Sequence, residues 1–172
     1  MSDNTKPRGP FAVESVAWDP WSEGVRYGGK VRVLSNTRSP GSRLKIGVAI
    51  EELPPGKQSC VFHYHLLEEE HILILSGSAT LRLGEERHAV KAGDFVSFPA
   101  GDPSGHCLIN ESEAPCTFLI IGDNDPNEVC VYPDSNKIMV RAIGRMGAED
   151  IFDAAATKDY WDGEKADIPA GS

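Results

Sequence analysis

Residues 63–77 read HYHLLEEEHILILSG, and the fold turns on how this stretch is read. In an extended chain, residues two apart face the same side, so His63 and His65 point together while Tyr64 points away. Two imidazoles on one face are the start of a metal-binding set. Four residues, LLEE, separate His65 from Glu70, enough for the chain to turn and run back. A carboxylate at the start of the returning strand can then face the same interior, and Glu68, Glu69 and Glu70 all compete for that place. Alternation does not choose among them. Ile72, Leu73, Ile74 and Leu75 are all apolar, as in a strand buried on both faces.

The surrounding chain has the same texture. Between Val31 and Val131, short runs rich in Val, Ile, Leu, Phe and Thr alternate with turn-forming punctuation such as LPPGK, LSGSA, KAGD and PAGDPSG. Runs of that length at that spacing predict an antiparallel sandwich or barrel, and no helical period interrupts them. The fold class is all-β. Further on, VCVYPDSNKIMVR predicts a hairpin around a Pro-Asp-Ser-Asn turn. AEDIFDAAA (148–156) predicts a short helix with acidic residues in its first turn. Tyr160 and Trp161, in the closing stretch, are expected to dock on the barrel or on a second subunit.

Composition narrows the function classes. The chain has 172 residues, 40% of them hydrophobic and 25% charged, which suits one domain with a real core. No apolar run approaches the ~20 residues of a membrane span, and MSDNTKPRGPF has no apolar stretch after its basic residues. The expected setting is cytoplasmic, away from membrane. A formal charge of −9 without a basic stripe argues against nucleic acid, whose affinity comes largely from phosphate neutralisation. Cys60, Cys107, Cys116 and Cys130 form no C-x-x-C pair and read as reduced thiols packed as small hydrophobes.

With these residues in view, the chain resembles a cupin, a double-stranded β-helix (jelly-roll) barrel. The first cupin motif is Gly, a gap, His-x-His, three or four residues, Glu, six residues, Gly. Gly56, His63, His65, Glu70 and Gly77 follow it, with one residue more than usual after Gly56. The spacing to Gly77 favours Glu70 over Glu69. The second motif, Gly, five residues, Pro-x-Gly, a gap, His, three residues, Asn, is met by Gly93, Pro99, Gly101, His106 and Asn110, with two extra residues before the histidine. The resemblance implies one divalent transition metal ion (Fe, Mn, Ni, Co or Zn) held by His63, His65, Glu70 and His106. His71 and His88 lie out of register and read as structural or surface residues. Cys107 is expected to face away from His106.

The resemblance extends over roughly residues 11–165 to a bacterial group of single-domain cupins, mostly uncharacterised, some carrying sugar-phosphate isomerase names. It implies an N-terminal arm and first strand material over 1–30, a barrel core over 31–122, and over 123–172 a C-terminal hairpin and short hairpin/helix tail packing on the barrel or a partner subunit. A homodimer with a small-molecule ligand in the barrel is expected. Three neutral imidazoles and one carboxylate around a divalent ion carry a net charge of about +1, and an octahedral ion keeps two positions for substrate oxygens. That suits a sugar-phosphate isomerase-like enzyme on a small oxygenated metabolite, with Glu70 or Glu68 as candidate base. An iron-dependent dioxygenase and a non-catalytic small-molecule-binding module are the alternatives. Arg26, Arg32, Arg43 and Lys45 are the N-terminal cations weighed for a phosphate and read first as solubilising residues.

Overall fold

The computed structural model describes residues 9–35, 44–141 and 150–164. Arg43, the first eight residues and most of the last ten lie outside these. Thirteen strands run in order: β1 (Asp19–Glu23), β2 (Tyr27–Ser35), β3 (Ile46–Leu53), β4 (Tyr64–His65), β5 (Glu70–Ser76), β6 (Ser78–Leu83), β7 (Glu86–Lys91), β8 (Phe95–Phe98), β9 (His106–Ile109), β10 (Cys116–Asp123), β11 (Val129–Tyr132), β12 (Lys137–Val140) and β13 (Asp150–Asp153). Two single 3-10 turns are the other regular elements among the described residues. No described helix is long and apolar enough to cross a membrane.

Six strands form one antiparallel sheet in the order β1-β2-β3-β10-β5-β8, and β7-β6-β9 form a second. The third sheet, β13-β12-β11-β4, carries the chain that follows the core. Between the sheets lie Leu53, Ile72, Ile74, Phe118 and Phe98 from the first and Ala79, Leu81, Val90 and Leu108 from the second. Ile72 and Ile74 alternate inward with Leu73 and Leu75 outward, and Leu75 is exposed. The strand is therefore buried on one face only, and the burial on both faces expected from its apolar run is not met at Leu75. The β1–β2 hairpin extends the first sheet beyond β3, and β2 runs across the 30/31 boundary, so the N-terminal segment completes a sheet.

The motif glycines have a backbone reason. Gly77 sits at φ +76 in the β5–β6 turn, and a Cβ there would lie 2.3 Å from the Pro115 carbonyl oxygen. Only glycine fits that conformation and that gap. Asn110 closes the second motif by donating from Nδ2 to the carbonyls of Leu53 and Ala114 while its Oδ1 accepts from the Ser112 backbone N–H.

The expected hairpin is β11 and β12, joined by a 3-10 turn at Pro133–Ser135 that ends on Asn136 in the left-handed region. The expected helix at 148–156 is absent from its described part: Asp150–Asp153 is a strand, pairing Ile151 with Met139 and Phe152 with Ile138. The open edge of β12 offers backbone partners at once, whereas so short a helix must first meet its nucleation cost. Tyr160 and Trp161 do not dock on the barrel. They pack edge to face on one another and stay 83% and 63% exposed. None of the four cysteines is in a disulfide, which agrees with the reduced thiols expected.

Candidate metal centre

Three strands and the segment leading into the first of them deliver the candidate ligands. His63 lies just before β4 and is tied to His106 by reciprocal backbone bonds, His63 N–H to His106 O at 3.3 Å and the reverse at 2.8 Å. His65 lies in β4, Glu70 opens β5 and His106 opens β9. Their reaching atoms converge. His63 Nε2 and His65 Nε2 are 3.1 Å apart, His106 Nε2 is 3.4 Å from a Glu70 oxygen, and His65 Nε2 is 4.0 Å from the other. His63, Glu70 and His106 each offer a ligand atom within 4.8 Å of the other two. The two Nε2 atoms and the His106–Glu70 contact are spaced much as neighbouring ligands of one ion, roughly 3 Å apart for bonds of ~2.1 Å. Neither Glu69 nor His71 joins them: His71 bonds Ser97 and pairs with Glu69, and His88 pairs with Glu86 at the surface.

The hydrogen bonds assign the tautomers. His63 Nδ1 lies 2.7 Å from the Val61 carbonyl oxygen, so Nδ1 carries the proton and Nε2 keeps its lone pair. His65 Nδ1 lies 3.2 Å from Glu128 Oε1, with the same consequence. The two Nε2 atoms lie 3.1 Å apart, a spacing that calls for a proton or a cation between them. His106 adds to this. It is 2% exposed, and both its ring nitrogens are buried without a hydrogen-bond partner. Phe98 stacks flat on it, ring centroids 3.7 Å apart, and holds its plane. A buried polar atom without a partner costs roughly 1–3 kcal/mol, and a metal bond removes that cost. The donor set therefore fits a divalent ion with mixed nitrogen and oxygen ligands.

Protonation states agree. Burial, reinforced by neighbouring His106, pushes the His63 imidazole down to about 4. Burial raises the Glu70 carboxyl, but the adjoining His106 and the fields of His63 and His65 outweigh it and hold the group below its ordinary range. His65 runs the other way: burial disfavours the cation, but the Glu128 bond together with the fields of Glu70, Glu128 and Glu68 outweighs it and raises its pKa.

Three supporting residues lie outside the motif signal. Glu128, fully buried, accepts the backbone N–H groups of Leu66, Leu67 and Glu68 as well as His65 Nδ1. Arg141 pairs with Glu68 and donates to the Asp125 carbonyl at 2.6 Å, which commits Glu68 away from the free-base role. Cys130, opposite His65 in β11, offers its sulfur within 4.8 Å of ligand atoms of His63 and His65. Nothing in their spacing announces them, because β11 and β12 reach the site only through pairing with β4.

A fourth group faces the centre from within. Glu51, on β3, is 7% exposed, and its Oε1 has no hydrogen-bond partner. Burial and the neighbouring Glu70 charge push its carboxyl up to about 8. Read along the sequence, Glu51 and Glu52 look like a solvated pair, yet Glu52 alone reaches a surface lysine, Lys30, at 2.8 Å.

Two of the cavities that touch candidate ligands are each lined by three of them. The outer one, about 370 Å³, is lined by His63, His65 and Glu70 together with Cys130, Tyr132 and Arg141. The inner one, about 90 Å³, lies behind His63, Glu70 and His106. Arg26 bonds Gln58, Arg32 stacks over Trp18, and neither they nor Lys45 line these cavities.

Comparisons with known proteins agree with this architecture. Residues 49–122 match the family described as Cupin domain. A protein from Acidithiobacillus ferrooxidans described as a "putative sugar phosphate isomerase" is 28% identical, covering 76% of this chain and 80% of its own, with a TM-score of 0.65. A sugar phosphate isomerase from a cupin superfamily of Silicibacter pomeroyi is 24% identical over 90% of this chain and 98% of its own, at a TM-score of 0.72. The polyketide cyclase RemF from Streptomyces resistomycificus shares the fold at 21% identity, 68% and 80% coverage and a TM-score of 0.57. Among curated proteins there is no match.

Proposed function

We propose, from the premise that residues 49–122 of this chain are a cupin domain, that it is a mononuclear metalloenzyme of sugar-phosphate isomerase type, with His63, His65, Glu70 and His106 as ligands. The observation that carries this reading is the convergence of His63 Nε2 and His65 Nε2 at 3.1 Å beside the buried His106 ring, whose Nε2 lies 3.4 Å from Glu70 and makes no hydrogen bond. The 28% identical Acidithiobacillus protein, by its name, supports the substrate class. A bound divalent ion would supply Lewis acidity to vicinal substrate oxygens.

The chain's own residues do the rest. Val61 and Glu128 fix the two imidazoles, and Phe98 fixes the third. The outer cavity has the size of a small-metabolite pocket. Arg141 is the one arginine or lysine among the described residues lining it, and so the group beside which an anionic substrate end would lie. Glu68, paired to Arg141, is not the free base that the sequence allowed.

Elemental analysis tests this. The native protein, purified without affinity tag or chelator, is compared with a His63→Ala/His65→Ala variant. About one equivalent of manganese, nickel, cobalt or zinc, lost in the variant, supports the reading. About one equivalent of iron with oxygen consumption replaces the isomerase with the dioxygenase. Under about a tenth of an equivalent, with no uptake of added metal, overturns the metal centre and leaves a binding barrel.

A further inference from the structure

The inner cavity is built differently from the outer one. Its walls are Ile72, Leu81, Leu108, Phe118 and Ile120, with Cys60 and Cys107 beside them, and no lysine or arginine is among its described lining. Glu51 is the polar side chain without a role in this cavity. Its neighbours in the sheets are Val31 on β2 and Phe118 on β10, and neither offers a polar side-chain atom. Gly29 makes room for it: a Cβ there would stand 3.0 Å from Glu51 Oε1 and 2.8 Å from the Glu52 carbonyl oxygen. The chain thus holds a carboxyl 93% buried, with a partnerless oxygen, in a cavity that opens on the candidate ligands. An unmade hydrogen bond of that kind is costly to folding and calls for a partner, whether a water, an ion or a ligand.

We propose that this inner cavity is a substrate pocket that takes a short, uncharged end carrying one hydroxyl, and that Glu51 is the residue that hydrogen-bonds it. The assignment rests on the metal-centre reading only for what holds the other end of the substrate. Size limits the occupant. A cavity of about 90 Å³ holds about three waters at ~30 Å³ each, or a fragment of about four non-hydrogen atoms. Charge limits it further in the metal-free protein, since a phosphate or carboxylate would meet the Glu70 carboxylate with no lysine or arginine among the lining residues. A substrate with one anionic end therefore binds in one direction, anion outward beside Arg141 and hydroxyl-bearing end inward at Glu51.

The test uses the full chain, as purified and after chelator treatment, with Ile and Leu methyl groups observed by NMR. Propan-1-ol, propanoate and hexan-1-ol are titrated separately. Propan-1-ol is expected to shift the Ile72, Leu81 and Leu108 methyls saturably, and the other two are not. Its affinity should fall about three- to tenfold in Glu51→Leu and return in Glu51→Gln, the loss expected for one hydrogen bond. No saturable shift at these methyls, or equal affinity in wild type and Glu51→Leu, overturns the proposal. Elemental analysis reports on the metal centre separately. Propan-1-ol binding in a protein that takes up no metal leaves the pocket standing and removes the metal.

Discussion

Substituting Glu128 tests whether the chain beyond the matched domain helps build the centre. Its Oε1 accepts from Leu66 N–H at 3.1 Å and His65 Nδ1 at 3.2 Å, and its Oε2 from Leu67 and Glu68 N–H at 3.1 and 2.8 Å. Leu66 N–H has a second acceptor in the Val129 carbonyl at 3.0 Å. Glu128→Ala therefore strips two backbone donors of these acceptors, at roughly 1–3 kcal/mol each, or about 2–6 kcal/mol together. A domain stable by ~5–15 kcal/mol tolerates the low end of that and not the high end. Glu128→Gln is the sharper variant. It keeps the shape but offers one oxygen where four donors converge, and it removes the charge that holds His65 Nδ1–H. The expected result is a folded protein whose Co(II) affinity falls about ten- to hundredfold, the usual effect of losing a carboxylate behind a ligating histidine. Calorimetric Co(II) titration, run where circular dichroism shows the variant folded, reads this directly. Wild-type affinity in a folded Glu128→Gln protein would refute the positioning role.

Gly77→Ala should destabilise by about 3 kcal/mol or more, since it adds left-handed strain to a Cβ placed 2.3 Å from the Pro115 oxygen; urea denaturation measures it, and a loss under about 1 kcal/mol would show that the turn can rearrange. Glu51 predicts a pH dependence in chelator-treated protein. Its folded pKa of about 8 exceeds the ordinary 4.5, so the folded state holds a proton that the unfolded state has released, and stability falls as pH rises through that window. Between pH 6.5 and 8.5 wild type should lose a few kcal/mol that Glu51→Gln keeps, at ~1.4 kcal/mol per pKa unit. Parallel curves for the two proteins would refute the burial of a neutral carboxyl. Asn110→Ala should cost about 2–4 kcal/mol by freeing the carbonyls of Leu53 and Ala114 and the Ser112 N–H, and thermal denaturation checks it.

What could be read along the chain was what local spacing controls. The strand runs, the turns between them and the β11–β12 hairpin follow from side-chain period and turn residues, which act within a few positions. His63 and His65 share a face for the same reason, and Glu70 and His106 were reached through the motif spacing. Glu128 and Arg141 were hidden because their roles depend on a pairing 60 residues and more away, β11 on β4. Glu51 was hidden in a different way. A glutamate pair in a strand looks the same whichever member turns inward, and only the position of Leu53 against the core decides that Glu51 shares its face. The helix expected near 150 failed because composition speaks to propensity and is silent about an unpaired strand edge nearby.

Two of the three buried carboxyl groups beside the centre, Glu51 and Glu128, divide its work, while the third, Glu68, is paired with Arg141. Glu128 is ionised because three backbone N–H groups and an imidazole surround it; burial raises its pKa, and the His65 bond with these donors brings it down below the ordinary value. Glu51 has no such donors, so burial prevails and its proton stays. Charge is thereby concentrated behind the histidines on the side of β11 and withheld from the cavity on the side of β3. A cation held between the histidines would be balanced from the Glu128 side and by Glu70, so that the inner cavity carries no carboxylate charge beyond that of Glu70. An interior of that kind places a ligand by shape and one hydrogen bond, and leaves the activation of its oxygens to the opposite, charged side. Substitutions at Glu51 should accordingly change which molecules bind, and substitutions at Glu128 should change whether metal does.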